Sequence, residues 1–178
     1  MDFSKWRCTH GSMCLVLTLI LMAVVCGNSW AQEDIDHHQS CSYCGMDRAK
    51  FAHSRVYIEY DDGSTAGTCS LHCAALDMAL HIDKGPVSIE VGDYQNKTLI
   101  DAETAVWVIG GSKMGVMTKR AKWAFGNQAA ADAFMQQDGG QLSNFEEALK
   151  AAYADMYQDT KMIREKRKKM RKKMGHGS

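Results

Sequence analysis

Two close pairs of cysteines carry the chemistry this chain offers: Cys41-Ser42-Tyr43-Cys44-Gly45-Met46 and, downstream, Cys69-Ser70-Leu71-His72-Cys73. Thiolate and thioether donors select Cu(I), Zn(II) or iron–sulfur clusters over hard cations such as Mg(II) or Ca(II). Met46 is as informative as the cysteines, because a thioether suits Cu(I) and adds little for zinc. A copper site is therefore the leading reading. Its main competitor is a closed four-cysteine zinc site of treble-clef type. That site would join a knuckle at Cys41 and Cys44 to a helix N-terminus carrying Cys69 and Cys73. Residues four apart on a helix share a face, which suits the second pair. His72, between them, is a surface histidine by default and a candidate ligand by its neighbours.

The compartment decides how to read these thiols. Lys5 and Arg7 precede an apolar run over residues 13–26, followed by Gly27-Asn28-Ser29-Trp30-Ala31. A basic start, an apolar stretch of this length and small residues before the cut describe a secretory signal over residues 1–31, cleaved after Ala31. The run falls short of the about 20 apolar residues of a membrane span. A lipoprotein signal at Cys26 is disfavoured by Val25, which stands where a small residue is expected. The expected location is the periplasm. Cleavage removes Cys8, Cys14 and Cys26, leaving Cys41, Cys44, Cys69 and Cys73. An even number in an exported chain also suggests disulfides. A Cys-x-x-Cys bridge closes a very short loop and gains little, but two bridges between the pairs stay open. Disulfide, zinc and copper are thus three states of the same four thiols.

The formal charge of zero hides an asymmetry. Residues 161–173 hold nine cations, Lys161, Arg164, Lys166, Arg167, Lys168, Lys169, Arg171, Lys172 and Lys173, against Glu165 alone. The rest of the exported chain is acidic. The pattern ahead of that tail is one domain of alternating elements. Residues 32–40, with His37 and His38, read as a flexible polar arm. Val56, Ile58 and Tyr60 alternate as a strand, and Asp61-Asp62-Gly63-Ser64 turns it into a hairpin. Ser70 caps a helix over 71–81, and residues 86–91 form the next strand. Residues 106–109 then read as a buried strand, 121–125 as another, and Asn127 opens a helix to about 137 that Gly139-Gly140 ends. Ser143 with Glu146 three residues later is a capping box for a long final helix.

The Cys41-to-Met46 knuckle, followed by Gly115-Val116-Met117-Thr118, a strand through Phe125, a helix and the Gly139-Gly140 break, resembles the nitrous-oxide-reductase accessory protein family, NosL. The resemblance spans residues 41–157. It implies an exported Cu(I)-binding chaperone that helps assemble the copper centres of nitrous-oxide reductase. The implied fold is α/β (α+β), a small mixed sheet of two ββαβ-type units followed by a long C-terminal helix, similar to a domain of the organomercurial lyases. The family's copper ligands fall on Cys44, Met46 and Met117. The implied partners are nitrous-oxide reductase or its copper-loading membrane transporter. Three features depart from the family: cleavage after Ala31 rather than lipidation, Val116 in place of a common proline, and the added Cys69, His72 and Cys73.

Other groups take plainer readings. Met117 sits in a loop beside Gly115 and Thr118, which favours a ligand over core packing, with Met114 as its near alternative. Cys41 is a ligand, a disulfide partner of Cys44 or a supporting thiol. His37 and His38 belong to the solvated arm, and His53 and His81 receive no role. The basic tail, residues 158–178, reads as an electrostatic handle for anionic lipid or an acidic partner rather than for nucleic acid, which export removes. Its Met162, Met170, Met174 and His176 would scavenge copper weakly at most. No catalytic constellation is present. The enzyme class retained is thiol–disulfide exchange at Cys41 and Cys44.

Overall fold

In the computed structural model, which describes residues 33–175, the alternation of Val56, Ile58 and Tyr60 becomes strand β1 (Val56–Tyr60), with those three side chains buried. Asp62 shapes the turn by accepting the Ser64 backbone N–H, and the chain returns as β2 (Thr65–Thr68). Helix α2 (Leu71–Leu80) follows; Ser70 holds the extended cap position but its side chain makes no capping bond. Preceding these elements is α1 (Glu33–His37). Strand β3 (Pro86–Gly92) pairs antiparallel with β1, and β4 (Leu99–Asp101) with β3, giving the order β2-β1-β3-β4.

The second unit repeats the plan. Strands β5 (Val106–Ile109) and β6 (Lys122–Phe125) pair, α3 (Gln128–Asp138) crosses over, and β7 (Gln141–Ser143) returns to the other edge of β5. Asn127 caps α3 by accepting the Ala130 N–H at 2.9 Å. The chain ends in α4 (Phe145–Gly175), 31 residues long. The α/β class, the two ββαβ-type units and the long last helix are all present, but they build two small antiparallel sheets rather than one mixed sheet. A single parallel bridge, Asp93 to Ala124, joins the sheets, and buried Asp93 secures it by accepting the Gly126 N–H at 2.7 Å.

Two local expectations are corrected. The cap of α4 is Asn144, which accepts the Glu147 N–H at 3.0 Å; Ser143 is instead paired with Trp107 as the last residue of β7. The segment read as a flexible arm is anchored: Asp34 in α1 is buried and binds Arg48 at 2.7 Å and Arg55 at 2.8 Å. Both guanidiniums are fully buried, so the carboxylate is their necessary counter-charge.

The main core lies between the four-stranded sheet, α2 and the first half of α4. It holds Val56, Ile58, Leu71, Ala74, Trp107, Phe145, Ala148 and Ala152. Trp107 is fully buried with its Nε1–H donating to the Ala102 carbonyl at 2.8 Å. A second cluster, around β6 and α3, contains Cys41, Cys69, Cys73, Val116, Trp123, Phe125 and Phe134. Among the described residues no helix is long and apolar enough to cross a membrane. The secretory signal, its cleavage after Ala31, and His176 lie outside the described residues.

Candidate metal centre

The knuckle closes on itself. Gly45 takes φ of +75°, a region open to glycine, while its N–H donates to Cys41 O and the Cys41 N–H donates to Met46 O, both at 2.9 Å. Arg48, two residues on, ties this turn to the second cysteine segment. Its guanidinium donates to the carbonyls of Thr68, Val56 and His38 as well as to Asp34. Thr68 directly precedes Cys69, whose own carbonyl accepts the Ser54 hydroxyl at 2.8 Å. From the other side, buried Asp77 of α2 accepts the Tyr43 hydroxyl at 2.5 Å and the Tyr60 hydroxyl. Tyr43 lies inside the knuckle, so α2 holds both its own Cys73 and the turn bearing Cys41 and Cys44.

The result is a preformed sulfur cluster. The Sγ atoms of Cys41, Cys44, Cys69 and Cys73 all lie within 4.8 Å of one another, and all four thiols are free. Cys44 and Cys69 are 3.4 Å apart, Cys69 and Cys73 3.9 Å, and Met46 Sδ is 4.0 Å from Cys69 Sγ. A tetrahedral ion with bonds of about 2.3 Å to sulfur needs S···S edges of about 3.8 Å. The spacing therefore suits a soft ion without large movement. Cys41, Cys69 and Cys73 are buried; Cys44 is half-buried and is the thiol that faces outward.

The thiols also polarise one another. Hydrogen bonds from Cys44, then Cys69 and Cys73, hold Cys41 far below the ordinary thiol range. The corresponding hydrogen bonds to Cys41 and Cys44 push Cys73 and Cys69 up. Cys44 is pulled down to about 7: Cys41 opposes its ionisation, and Cys69 and Cys73 together favour it. One negative charge is thus easy to place in the cluster and further ones are hard, until a cation supplies compensation.

Cys44 and Met46 open onto a cleft of about 540 Å³ that is also lined by Met117, Met114, His53 and, from α4, Met162 and Met170. Met117 has φ of +60°, the left-handed region that a bulky side chain rarely enters. The loop that carries it is tightly packed at Gly115, where a Cβ would lie 2.6 Å from Thr118 Cγ2 and 2.9 Å from Ala121 Cα.

Of the candidate ligands, Cys41, Cys44, Cys69, Cys73 and Met46 are brought together, and Met117 lines the same cleft as Cys44 and Met46. His72 is not a surface histidine. It is buried, lies outside the sulfur cluster, and turns Nδ1 toward Asp159 of α4 at 3.5 Å. His38, placed in the arm, contacts Thr65 Oγ1 at 2.9 Å. His53, left without a role, stands in the cleft wall between Phe51, Tyr94 and Trp123, and burial lowers its pKa. The tail methionines are not remote either. The signal for them was the spacing of Met162, Lys166 and Met170, which puts one face of α4 on the cleft.

The profile of the NosL family matches residues 32–153. This chain belongs to the NosL family. Its structure is also similar to the crystal structure of the copper chaperone NosL from Shewanella denitrificans. That match has a TM-score of 0.53 and 25% sequence identity, over 64% of this chain and 91% of that one. No curated protein matches the sequence. The NosL match contains the knuckle, the Cys69–Cys73 segment and the Met117 loop, and it stops before Met162 and Met170. Within the NosL framework the cleft therefore has one wall, at Met114 to Thr118, inside the match, and a second wall on α4 beyond it.

Proposed function

We propose that this protein is an exported Cu(I) metallochaperone that supplies copper for the maturation of nitrous-oxide reductase. The observation that carries the reading is a preformed cluster of free thiols with a thioether 4.0 Å away, opening through Cys44 to a methionine-lined cleft. Cys44, Met46 and Met117 would hold the ion, with Cys41, Cys69 and Cys73 as neighbouring thiols able to exchange into its coordination. Low coordination by soft donors binds Cu(I) tightly and leaves room for an incoming ligand. Release then proceeds by exchange: a donor of the recipient enters from the cleft, and Cys44, the least buried thiol, leaves first. Family membership and the copper chaperone of similar structure support this reading over a catalytic one. The recipient is nitrous-oxide reductase itself or its copper-loading membrane transporter, with the basic tail steering approach to an acidic partner or anionic lipid.

The four-thiol geometry also suits Zn(II), as a closed structural tetrahedron. Competition separates the two. Reduced protein titrated anaerobically against a Cu(I) chelator, and separately against a zinc chelator, should favour one Cu(I), and Met46→Ala and Met117→Ala should weaken it. If neither substitution alters Cu(I) binding while Cys69→Ser or Cys73→Ser releases a tightly held zinc, the copper reading is wrong.

A further inference from the structure

Met114 is 76% exposed and Met170 55% exposed, so neither is filling a core. They face one cleft from different segments, Met114 from the loop before Met117 and Met170 from the last helix, about two turns beyond Met162. On α4, Met162, Lys166 and Met170 recur at four-residue intervals, the spacing that keeps side chains on one helix face. Exposed methionines otherwise mark adaptable binding surfaces for apolar partners. Here the cleft leads to Cys44 and Met46, and its three outer thioethers are uncharged soft donors that suit a monovalent soft ion. Lys166 and Arg167 line the same cleft. Their charge repels hard cations, which bind by electrostatics, and weakens without abolishing a bond to sulfur.

We propose a second Cu(I) site at the cleft mouth, built by the thioethers of Met114, Met162 and Met170, which receives the ion before the thiol centre takes it. This rests on the copper reading of that centre. Two of the three donors, Met162 and Met170, lie on α4 beyond the stretch matched by the family profile. Thioether-only binding is weaker than thiolate binding, and the downhill order from mouth to interior gives the ion a direction.

The test is a titration of the reduced full chain with Cu(I), and with Ag(I) as a second soft probe, followed by NMR of the methionine methyl groups. The first equivalent should shift Met46 and Met117; the second, weaker one should shift Met114, Met162 and Met170. The size-conserving variant M114L/M162L/M170L should lose the second equivalent and keep the affinity of the first within about threefold. Neutralising the cations with K166Q/R167Q should tighten the second equivalent. If the outer methyls stay unshifted at two equivalents, or the triple variant still binds two ions, the mouth site does not exist. Failure of the copper reading itself looks different. C44S/C69S would then leave the first equivalent intact, whatever the outer methyls do.

Discussion

Beneath the four-stranded sheet, Val56, Ile58, Trp107 and Phe145 pack as an apolar core, and the polar atoms that enter it, Trp107 Nε1 and the Tyr60 hydroxyl, have buried acceptors. Around β6 the corresponding positions hold Cys41, Cys69, Cys73 and Trp123. Among the described residues, the buried side-chain polar atoms without a hydrogen-bond partner are Trp123 Nε1, in that second cluster, and His72 Nδ1 and Asp159 Oδ2 beside it. Met117, in the same cluster, carries a strained backbone. The first region is completed by folding. The second keeps a strained backbone, unpaired polar atoms and four free thiols, and the thiols are the groups that a bound ion would complete. Local strain and unsatisfied groups persist where surrounding structure over-determines them, and they gather at functional sites.

The largest effect should come from breaking the first region. Trp107→Ala removes a fully buried indole and its bond to Ala102, and should cost about 3–5 kcal/mol in denaturant unfolding, a large part of a domain's stability. Copper affinity, measured where the variant is still folded, should change little. A comparable loss in both would mean the two regions are one cooperative unit. Next comes metal itself. Cu(I) at a thousand times its dissociation constant should stabilise the protein by about 4 kcal/mol. That increment should be the same in Trp107→Ala and absent in C44S/C69S.

The first region was largely legible in the sequence, because burial imposes a period: Val56, Ile58 and Tyr60 alternate, and the Asp62-Gly63 turn is a local signal. The two short strands β4 and β7 have no such signal, since three residues carry no period, and β7 displaced Ser143 from its expected capping role. The separation into two sheets depends on long-range pairing that no local pattern encodes. Within the second region the sulfur types and the Cys44–Met46 knuckle could be read directly. The burial of His72 against Asp159 could not, because its partner lies eighty-seven residues away on α4. The same holds for Asp34, which a polar composition presents as solvated until Arg48 and Arg55 are seen to enclose it.

A smaller effect should sharpen the contrast by changing sign. Met117→Gly relieves a left-handed backbone at a cost in unfolded-state entropy, so the metal-free protein should gain about 1 kcal/mol or less. Copper binding should weaken at the same time. Lower stability in the metal-free variant would show that Met117 contributes more by packing than it loses to strain, and would place it with the first region.

The smallest effect concerns what holds α4 beside the second region. Asp155 binds Lys122 at 2.7 Å and Arg120 at 2.8 Å. Burial alone would raise its pKa, but the hydrogen bonds and charges of Arg120 and Lys122 outweigh that and hold it below the ordinary aspartate value of 3.8. The unfolded chain therefore takes up this proton more readily than the folded one. The ion pairs contribute fully above the unfolded value, and the contribution is lost as pH falls through the lower folded value. Because Asp155 is partly solvated, screening keeps its share to about 1 kcal/mol or less. Urea unfolding from pH 6 down to pH 3 should show an acid-side decline that is shallower in Asp155→Asn. The same variant at pH 7 should loosen α4, read as faster amide exchange after residue 155, while the Trp107 core keeps its protection. Equal acid-side slopes in parent and variant would assign the docking of α4 to its apolar contacts instead, with Phe145, Ala148 and Ala152 carrying the helix and the ion pairs contributing nothing measurable.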